Sequence, residues 1–378
     1  MTPWAALELS RQPYDADPSL QAWSAADLLL ARFALDEAPR PGVLHVVYND
    51  AFGALSTLLV QQGRSVVHVS DSCLSQRCAL WNLDANGLES ERLFLLDSLT
   101  IPTGTPQANQ SPVVLFRIPK SLALLEFQLH QIRGMLPLGT LLVSTGMTKD
   151  IHTSTVELYD QILGTTTTGL AEQKARMVRT VVEERVVPPP HFPTEYHVPG
   201  LNLTLVNHAS VFSQGELDEG TRLFLEHFPK LPRGPCSIVD LGCGNGILAL
   251  AAARRAPEAQ IFCVDESFMA VWSARESFRR NELGGRGTFL SGDGLEDFDP
   301  ESIDVVLCNP PFHFQNAQTL EIAKSFFNQA KKVLRKSGEF WLVGNRHLGY
   351  HKILEPYFGS VAVAALTEKF VVLRARQP

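Results

Sequence analysis

The chain has 378 residues, 45% of them hydrophobic and 19% charged, which at roughly 100–200 residues per domain suggests two or three domains, each with a core of its own. No stretch approaches the roughly 18 uncharged apolar residues of a membrane span, and the start from Met1 to Arg11 lacks a basic segment leading into an apolar core. These features point to a soluble protein at a cytoplasmic address without a membrane partner. The net charge of −7 gives no sign of a general polyanion binder, so any nucleic acid must be met by local basic patches.

In chain order, short β-branched runs alternate with helical stretches, the pattern of an α/β protein on a largely parallel sheet. Pro188-Pro189-Pro190, with Pro193 and Pro199 beyond, interrupts this rhythm, and the domains are expected to be 1–190 and 191–378. The two halves resemble each other. Val43–Gly53 parallels Ile238–Gly246, and Val66–Ser72 parallels Ile261–Ser267, with Asp71 expected in the place of Asp265. Val113–Lys120 parallels Val305–Phe312, and Gly139–Thr145 parallels Gly338–Asn345. Landmarks in constant order indicate a duplication. The first copy keeps only Gly53 of the glycine turn, so it reads as degenerate. Cys73, Cys78, Cys236, Cys243, Cys263 and Cys308 form no CxxC pair, and they are expected to be reduced and structural, with no metal.

Asp240-Leu241-Gly242-Cys243-Gly244-Asn245-Gly246 follows a strand and opens a helix near Ile247, where glycines permit a sharp turn and close approach of a ligand. A dinucleotide fingerprint read from Gly242 and Gly244 would need a third glycine where Ile247 stands; read from Gly244 it would end on Ala249, which the looser form allows. The run more closely resembles the first motif of class I S-adenosylmethionine-dependent methyltransferases. At the end of the next strand, Asp265 can accept hydrogen bonds from both ribose hydroxyls of an adenosyl group or cap the following helix. Asp293, after a strand at Thr288–Leu290, would lie near the adenine amino group in that fold, although Gly-Asp-Gly also suits an ordinary turn.

Asn309-Pro310-Pro311-Phe312 follows the strand Asp304–Cys308, and its two prolines stiffen an extended exit from the sheet. The Asn309 side-chain carbonyl and the Pro310 main-chain carbonyl can converge on an exocyclic amino group, turning its lone pair toward a sulfonium methyl. No strong base is needed, because the amine becomes acidic once methylated. Phe312 would stack on the ring carrying the amine, which must be extruded or unpaired to reach it.

Residues 200–375 resemble the catalytic domain of the ribosomal RNA guanine-N2 methyltransferases, and the duplicated length resembles the group containing RsmC and RlmG, closer to its large-subunit branch. Asn207–Ser213 and Leu217–Phe224 resemble the group's cofactor-side segment, which places Phe212 and Gly220 near the methionine moiety. Asn345-Arg346-His347-Leu348 also matches, as do Leu20–Trp23, Asn49–Leu55, Pro119–Glu126 and Asp150–Thr155. The resemblance implies two tandem Rossmann-like class I methyltransferase domains. It also implies S-adenosyl-L-methionine bound by Asp240, Gly242, Gly244, Gly246, Asp265, Asp293, Phe212 and Gly220. The catalytic residues would be Asn309, Pro310 and Phe312, and the product N2-methylguanosine in 23S ribosomal RNA.

The first domain is expected to hold RNA through Arg117 and Lys120, with Arg346 contributing from the second. Lys174, Arg176 and Arg179 form another basic cluster, and Lys331, Lys332, Arg335 and Lys336 are expected on a helix. Alternatives are the same reaction on 16S ribosomal RNA, an amino methyltransferase acting on adenine in DNA or on a protein glutamine, and a non-catalytic RNA-binding or assembly factor that retains cofactor affinity.

Overall fold

Runs such as His45–Tyr48 and Ser237–Leu241 are buried at every position, as strands are when helices cover both faces of a parallel sheet. The computed structural model describes residues 3–13, 19–37, 42–102, 112–212, 215–310 and 317–378, with backbone alone for 317–320. Two units form, Met1–Phe192 and Pro193–Pro378. No helix among the described residues is long and apolar enough to cross a membrane.

The first unit contains α1 (Ala25–Arg32), β1 (His45–Tyr48), α2 (Ala54–Gln61), β2 (Val66–Ser70), α3 (Cys73–Ala85), β3 (Leu93–Asp97), β4 (Val113–Arg117), α4 (Leu122–Met135), β5 (Leu141–Met147), α5 (Thr153–Ile162), β6 (Thr166–Thr168) and β7 (Ala175–Val181). The second has β8 (Thr194–Val198), β9 (Leu203–Asn207), α6 (Glu219–Glu226), β10 (Ser237–Leu241), α7 (Ile247–Arg255), β11 (Gln260–Asp265), α8 (Phe268–Arg280), β12 (Gly287–Ser291) and β13 (Ile303–Cys308). It ends with α9 (Ala317–Val333), β14 (Leu334–Asn345), α10 (Tyr350–Phe358), β15 (Val361–Leu366) and β16 (Phe370–Arg376).

The sheets run β3-β2-β1-β4-β5-β7-β6 and β12-β11-β10-β13-β14-β16-β15, the same order twice. Neighbours pair in parallel except for the antiparallel pairings made by β7 and β16. Both units are therefore Rossmann-like. The registers equate Tyr48 with Leu241, because Tyr48 faces Val69 and Phe116 while Leu241 faces Val264 and Cys308. Arg117 thus stands where Asn309 stands in the second unit. Alternate residues of β10 serve opposite cores, Ile238 packing with α7 and Val239 with Phe340 and Leu342.

The repeat extends beyond the landmarks read from sequence. At the end of α3, Asn86 grips the backbone of Glu8 twice, taking its N–H at 2.8 Å and donating to its carbonyl at 2.7 Å. Asn281, at the end of α8, grips Thr204 of β9 in the same way, at 3.0 and 2.6 Å. In both units an extended segment is thereby pinned along the helix that follows the second strand of the fold.

Two expectations are corrected. Strand β2 ends at Ser70, and Ser72 caps α3 as Ser267 caps α8, so Ser70 rather than Asp71 stands in the place of Asp265. Helix α9 stops at Val333, so Arg335 and Lys336 lie in β14, and Arg335 is paired with Asp304 at 2.8 Å.

Arg117 is built into its own unit. Its Nε meets Asp27 Oδ1 at 2.6 Å, its Nη1 donates to the Thr145 carbonyl at 2.9 Å, and its Nη2 reaches Ser24 Oγ at 3.4 Å. The paired side chains are only 16% and 12% exposed. This corrects the reading of Arg117 as an RNA clamp, since most of its donors are engaged internally. Arg117→Ala would strand the Asp27 carboxylate and should destabilise the first unit by about 3 kcal/mol. Chemical denaturation checks this, and an unchanged midpoint would show that the pair contributes nothing.

Candidate functional site

Strand β10 is hydrogen-bonded on both sides, and the sheet continues one way through β11 and the other through β13. The carboxyl end of β10 is therefore the switch point at which open α/β sheets bind ligands. Here the chain leaves through Gly242, Gly244 and Gly246, with φ of +71°, +54° and +80°. Such angles favour glycine. The N–H groups of Gly242 and Cys243 both donate to the Val264 carbonyl, at 2.8 and 3.0 Å, which holds the turn against β11. A Cβ on Gly246 would stand 3.0 Å from that of Ala274, so this glycine serves close packing of α7 on α8; one on Gly242 or Gly244 would meet nothing within 4 Å. The open cradle is over those two.

Asp240 is buried at the end of β10, its Oδ2 taking the Ala249 N–H of α7 at 3.0 Å. Burial raises its pKa to about 8; the Ala249 bond opposes the shift and the Asp265 charge adds to it. Asp265 accepts from Gly244 N at 3.0 Å with one oxygen and from Ser267 N at 3.0 Å with the other. Burial raises its pKa also. Ser267, and not Asp265, caps α8. Asp293 is buried just past β12, and the preceding Gly292 donates to the Asp265 carbonyl at 3.0 Å.

Asn309 follows β13, beside the β10 turn. Its Nδ2 donates to Thr221 Oγ1 of α6 at 2.8 Å, while its Oδ1 is buried without a hydrogen-bond partner among the described residues. Pro310, next in the chain, is buried. Phe312 lies outside the described residues. Gly220 packs on β16, where a Cβ would stand 3.1 Å from the Phe370 ring. Phe212 is 58% exposed. Arg346 is exposed beyond the carboxyl end of β14, and Lys120 is exposed in the first unit.

Sequence reasoning missed Thr221 as a site residue. It also missed the bond from Asn245 Nδ2 to Asn207 Oδ1, 2.9 Å, which ties the glycine turn to β9. Neither pairing has a local signal, because the partners lie far apart in sequence. His208 beside them is buried, which lowers its pKa to about 4 and keeps it neutral.

In the first unit the corresponding space is filled. Asn49 replaces Gly242 and holds φ +60°; its Nδ2 donates to the Arg117 carbonyl and to Gln128 Oε1, both at 2.8 Å, and its Oδ1 accepts from Gln128 at 2.9 Å. Behind it, Asp50 accepts from Ser56, whose hydroxyl lies 3.0 Å from His68 Nδ1. Burial raises Asp50 to about 6 and lowers His68 to about 4.

The residues of the second unit fit S-adenosylmethionine: an open glycine cradle, carboxylates at the ends of β11 and just past β12, and an orphaned acceptor across the switch point. The arrangement defines a class I methyltransferase. Residues 202–374 match the family described as Methyltransferase small domain, and residues 1–184 match the RLMG N-terminal domain. Proteins described as ribosomal RNA large subunit methyltransferase G align end to end. That of Streptomyces avermitilis is 44% identical, with 99% of this chain and 98% of the relative covered; that of Pseudomonas putida is 42% identical, covering 100% and 99%. Among solved structures, the T. thermophilus 16S rRNA N2 methyltransferase RsmC, in complex with AdoMet and guanosine, superposes with a TM-score of 0.77. It is 25% identical over 98% of this chain and 95% of that one. The chain belongs to the ribosomal RNA large subunit methyltransferase G family, and it is an S-adenosylmethionine-dependent methyltransferase of ribosomal RNA.

Folded Asp240 keeps its proton from the ordinary carboxylate range near 3.8 up to about 8, whereas the unfolded chain has lost it. Its contribution to stability is therefore complete at low pH and lost as pH rises toward 8. Asp240→Asn, neutral throughout, should make unfolding free energy fall less steeply over that window than in the parent. Equal slopes in denaturant titrations would show that Asp240 is ionised in the fold.

Proposed function

We propose that the second unit methylates the exocyclic N2 of a guanine in 23S ribosomal RNA, with Asn309 and Pro310 receiving the amine. The observation that carries this reading is the buried Oδ1 of Asn309 at the switch point, which has no hydrogen-bond partner among the described residues. A buried acceptor without a partner costs about 1–3 kcal/mol, and an amino group donating to it would recover that loss. The Pro310 carbonyl supplies the second acceptor. Together they orient the nitrogen lone pair, which is catalysis by positioning.

S-adenosylmethionine supplies an electrophilic methyl on a sulfonium. The chain's own residues hold it: the backbone at Gly242 and Gly244 leaves room for close approach, Asp265 suits the ribose hydroxyls, and Asp293 suits the adenine amino group. Asp240 acts from behind by fastening α7 to the strand end, and Gly246 by letting α7 pack on α8. Phe212, Gly220 and the adjoining segment face the methionine end in this reading. Phe312, outside the described residues, is the residue proposed to stack on the base.

Guanine N2 is favoured over an adenine or glutamine amine because the structural relative with the same two-unit fold is described as an N2 methyltransferase and was solved with guanosine. The large subunit is favoured by the names of relatives that align end to end. RNA is held by Arg346 and, in the first unit, by exposed Lys120.

Transfer of labelled methyl to deproteinised 23S and 16S ribosomal RNA and to assembled subunits, followed by nucleoside analysis, tests the reading. Label as N2-methylguanosine in 23S RNA is expected; label in another nucleoside, or only in 16S RNA, overturns it. Asn309→Ala should lower turnover by about 100-fold or more while cofactor affinity stays within a few fold. Turnover within threefold of the parent would refute the two-acceptor mechanism.

A further inference from the structure

We infer that Thr221 is a positioning residue, which aims the Asn309 carbonyl at the amine by binding the other end of the amide. This rests on the role of Asn309 given above and extends it to a residue on a different element.

A primary amide has one acceptor oxygen and one donor nitrogen, and rotation about its last torsion exchanges them. For Asn309 to act as an acceptor, something must engage the nitrogen. Thr221 Oγ1 does so at 2.8 Å, leaving Oδ1 open. Thr221 is 3% exposed, so water does not compete freely for its hydroxyl. Its own position is fixed at the first turn of α6, where Asp218 Oδ1 accepts from the N–H groups of Gly220 and Thr221 at 2.9 and 3.0 Å. Close packing of Gly220 on Phe370 fixes the same turn against β16.

The internal repeat supplies an independent observation. Helix α1 packs against β5 and β7 as α6 packs against β14 and β16, so the two helices correspond. Each has its N-cap immediately before it, Ser24 and Asp218, and the third helical residue is Asp27 in one and Thr221 in the other. Arg117 corresponds to Asn309 through the sheet register. The first unit therefore makes the same helix-to-strand contact with different chemistry, Arg117 Nε to Asp27 Oδ1 at 2.6 Å. The fold maintains a link between these two positions in both copies. Among the described residues, only the link in the second leaves an acceptor without a partner.

Thr221→Val keeps the shape and loses the hydroxyl, Thr221→Ala loses both without crowding, and Thr221→Ser restores the hydroxyl. For each variant and for Asn309→Ala, we would measure kcat and KM with ribosomal RNA, S-adenosylmethionine affinity by calorimetry, and thermal unfolding. Thr221→Val and Thr221→Ala should lower kcat by about 10-fold or more, equivalent to about 1.4 kcal/mol, with cofactor affinity within about twofold of the parent. Thr221→Ser should recover most of the loss. If a folded hydroxyl-free variant keeps kcat within about twofold while Asn309→Ala is inactive, the positioning role is wrong and the acceptor role stands. If Asn309→Ala is itself active, the acceptor reading fails. A loss in Thr221→Val that Thr221→Ser does not recover would also overturn the inference.

Discussion

Parallel pairing of β10 with β11 on one side and β13 on the other is the constraint on which the rest depends. With both edges of β10 occupied, its chain can leave only by turning out of the sheet, and it does so through residues with positive φ. The same pairing brings the end of β11, with Asp265, and the end of β13, with Asn309, to opposite flanks of that turn. The two carboxylates at the ends of β11 and just past β12 and the Asn309 amide therefore fall on two sides of one cradle, without any loop having to reach across the sheet. Backbone bonds from Gly242 and Cys243 to Val264 make the turn part of the sheet and keep the cradle rigid.

The two units show that this backbone is not sufficient for chemistry. Asn49 adopts nearly the φ of Gly242, and its side chain occupies the cradle with a reciprocal amide pair to Gln128. Asparagine tolerates the left-handed region better than most residues, so one substitution both preserves the turn and closes the site. Ser70 then stands where Asp265 would bind the ribose. The Asp50, Ser56 and His68 network satisfies the buried polar groups left behind it.

Much of this was legible in the sequence because it is local. Glycines at positive φ, an aspartate ending a strand and a proline-stiffened exit each announce themselves within a few residues, and the order of landmarks in the two halves foretells one sheet order used twice. What could not be read depends on register or on pairs remote in sequence. One position decides whether Asp71 or Ser70 matches Asp265, and only strand ends and helix caps fix it. Local pattern does not separate Lys331 and Lys332 on α9 from Arg335 and Lys336 on β14, because a run of lysines and arginines suits a helix or an exposed strand equally well. Arg117 looked free for phosphate because its partner, Asp27, lies on a helix whose place against the sheet no local pattern reveals.

If Asn309 receives the amine as proposed, the exchange of Arg117 and Asp27 for Asn309 and Thr221 turns a structural contact into one that also serves catalysis. A guanidinium carries donors only, so every bond it makes inside the fold leaves behind at most another donor. An amide carries both kinds of group, and when its nitrogen is used to hold strand β13 to helix α6, its oxygen remains as a preorganised acceptor in a buried site. Such an acceptor does not have to be reoriented when an amine arrives, which is where positioned groups gain over water. Under the proposed role of Asn309, the contact that fastens helix to sheet in the first unit is thus the one that, with an amide in place of a guanidinium, aims the acceptor in the second.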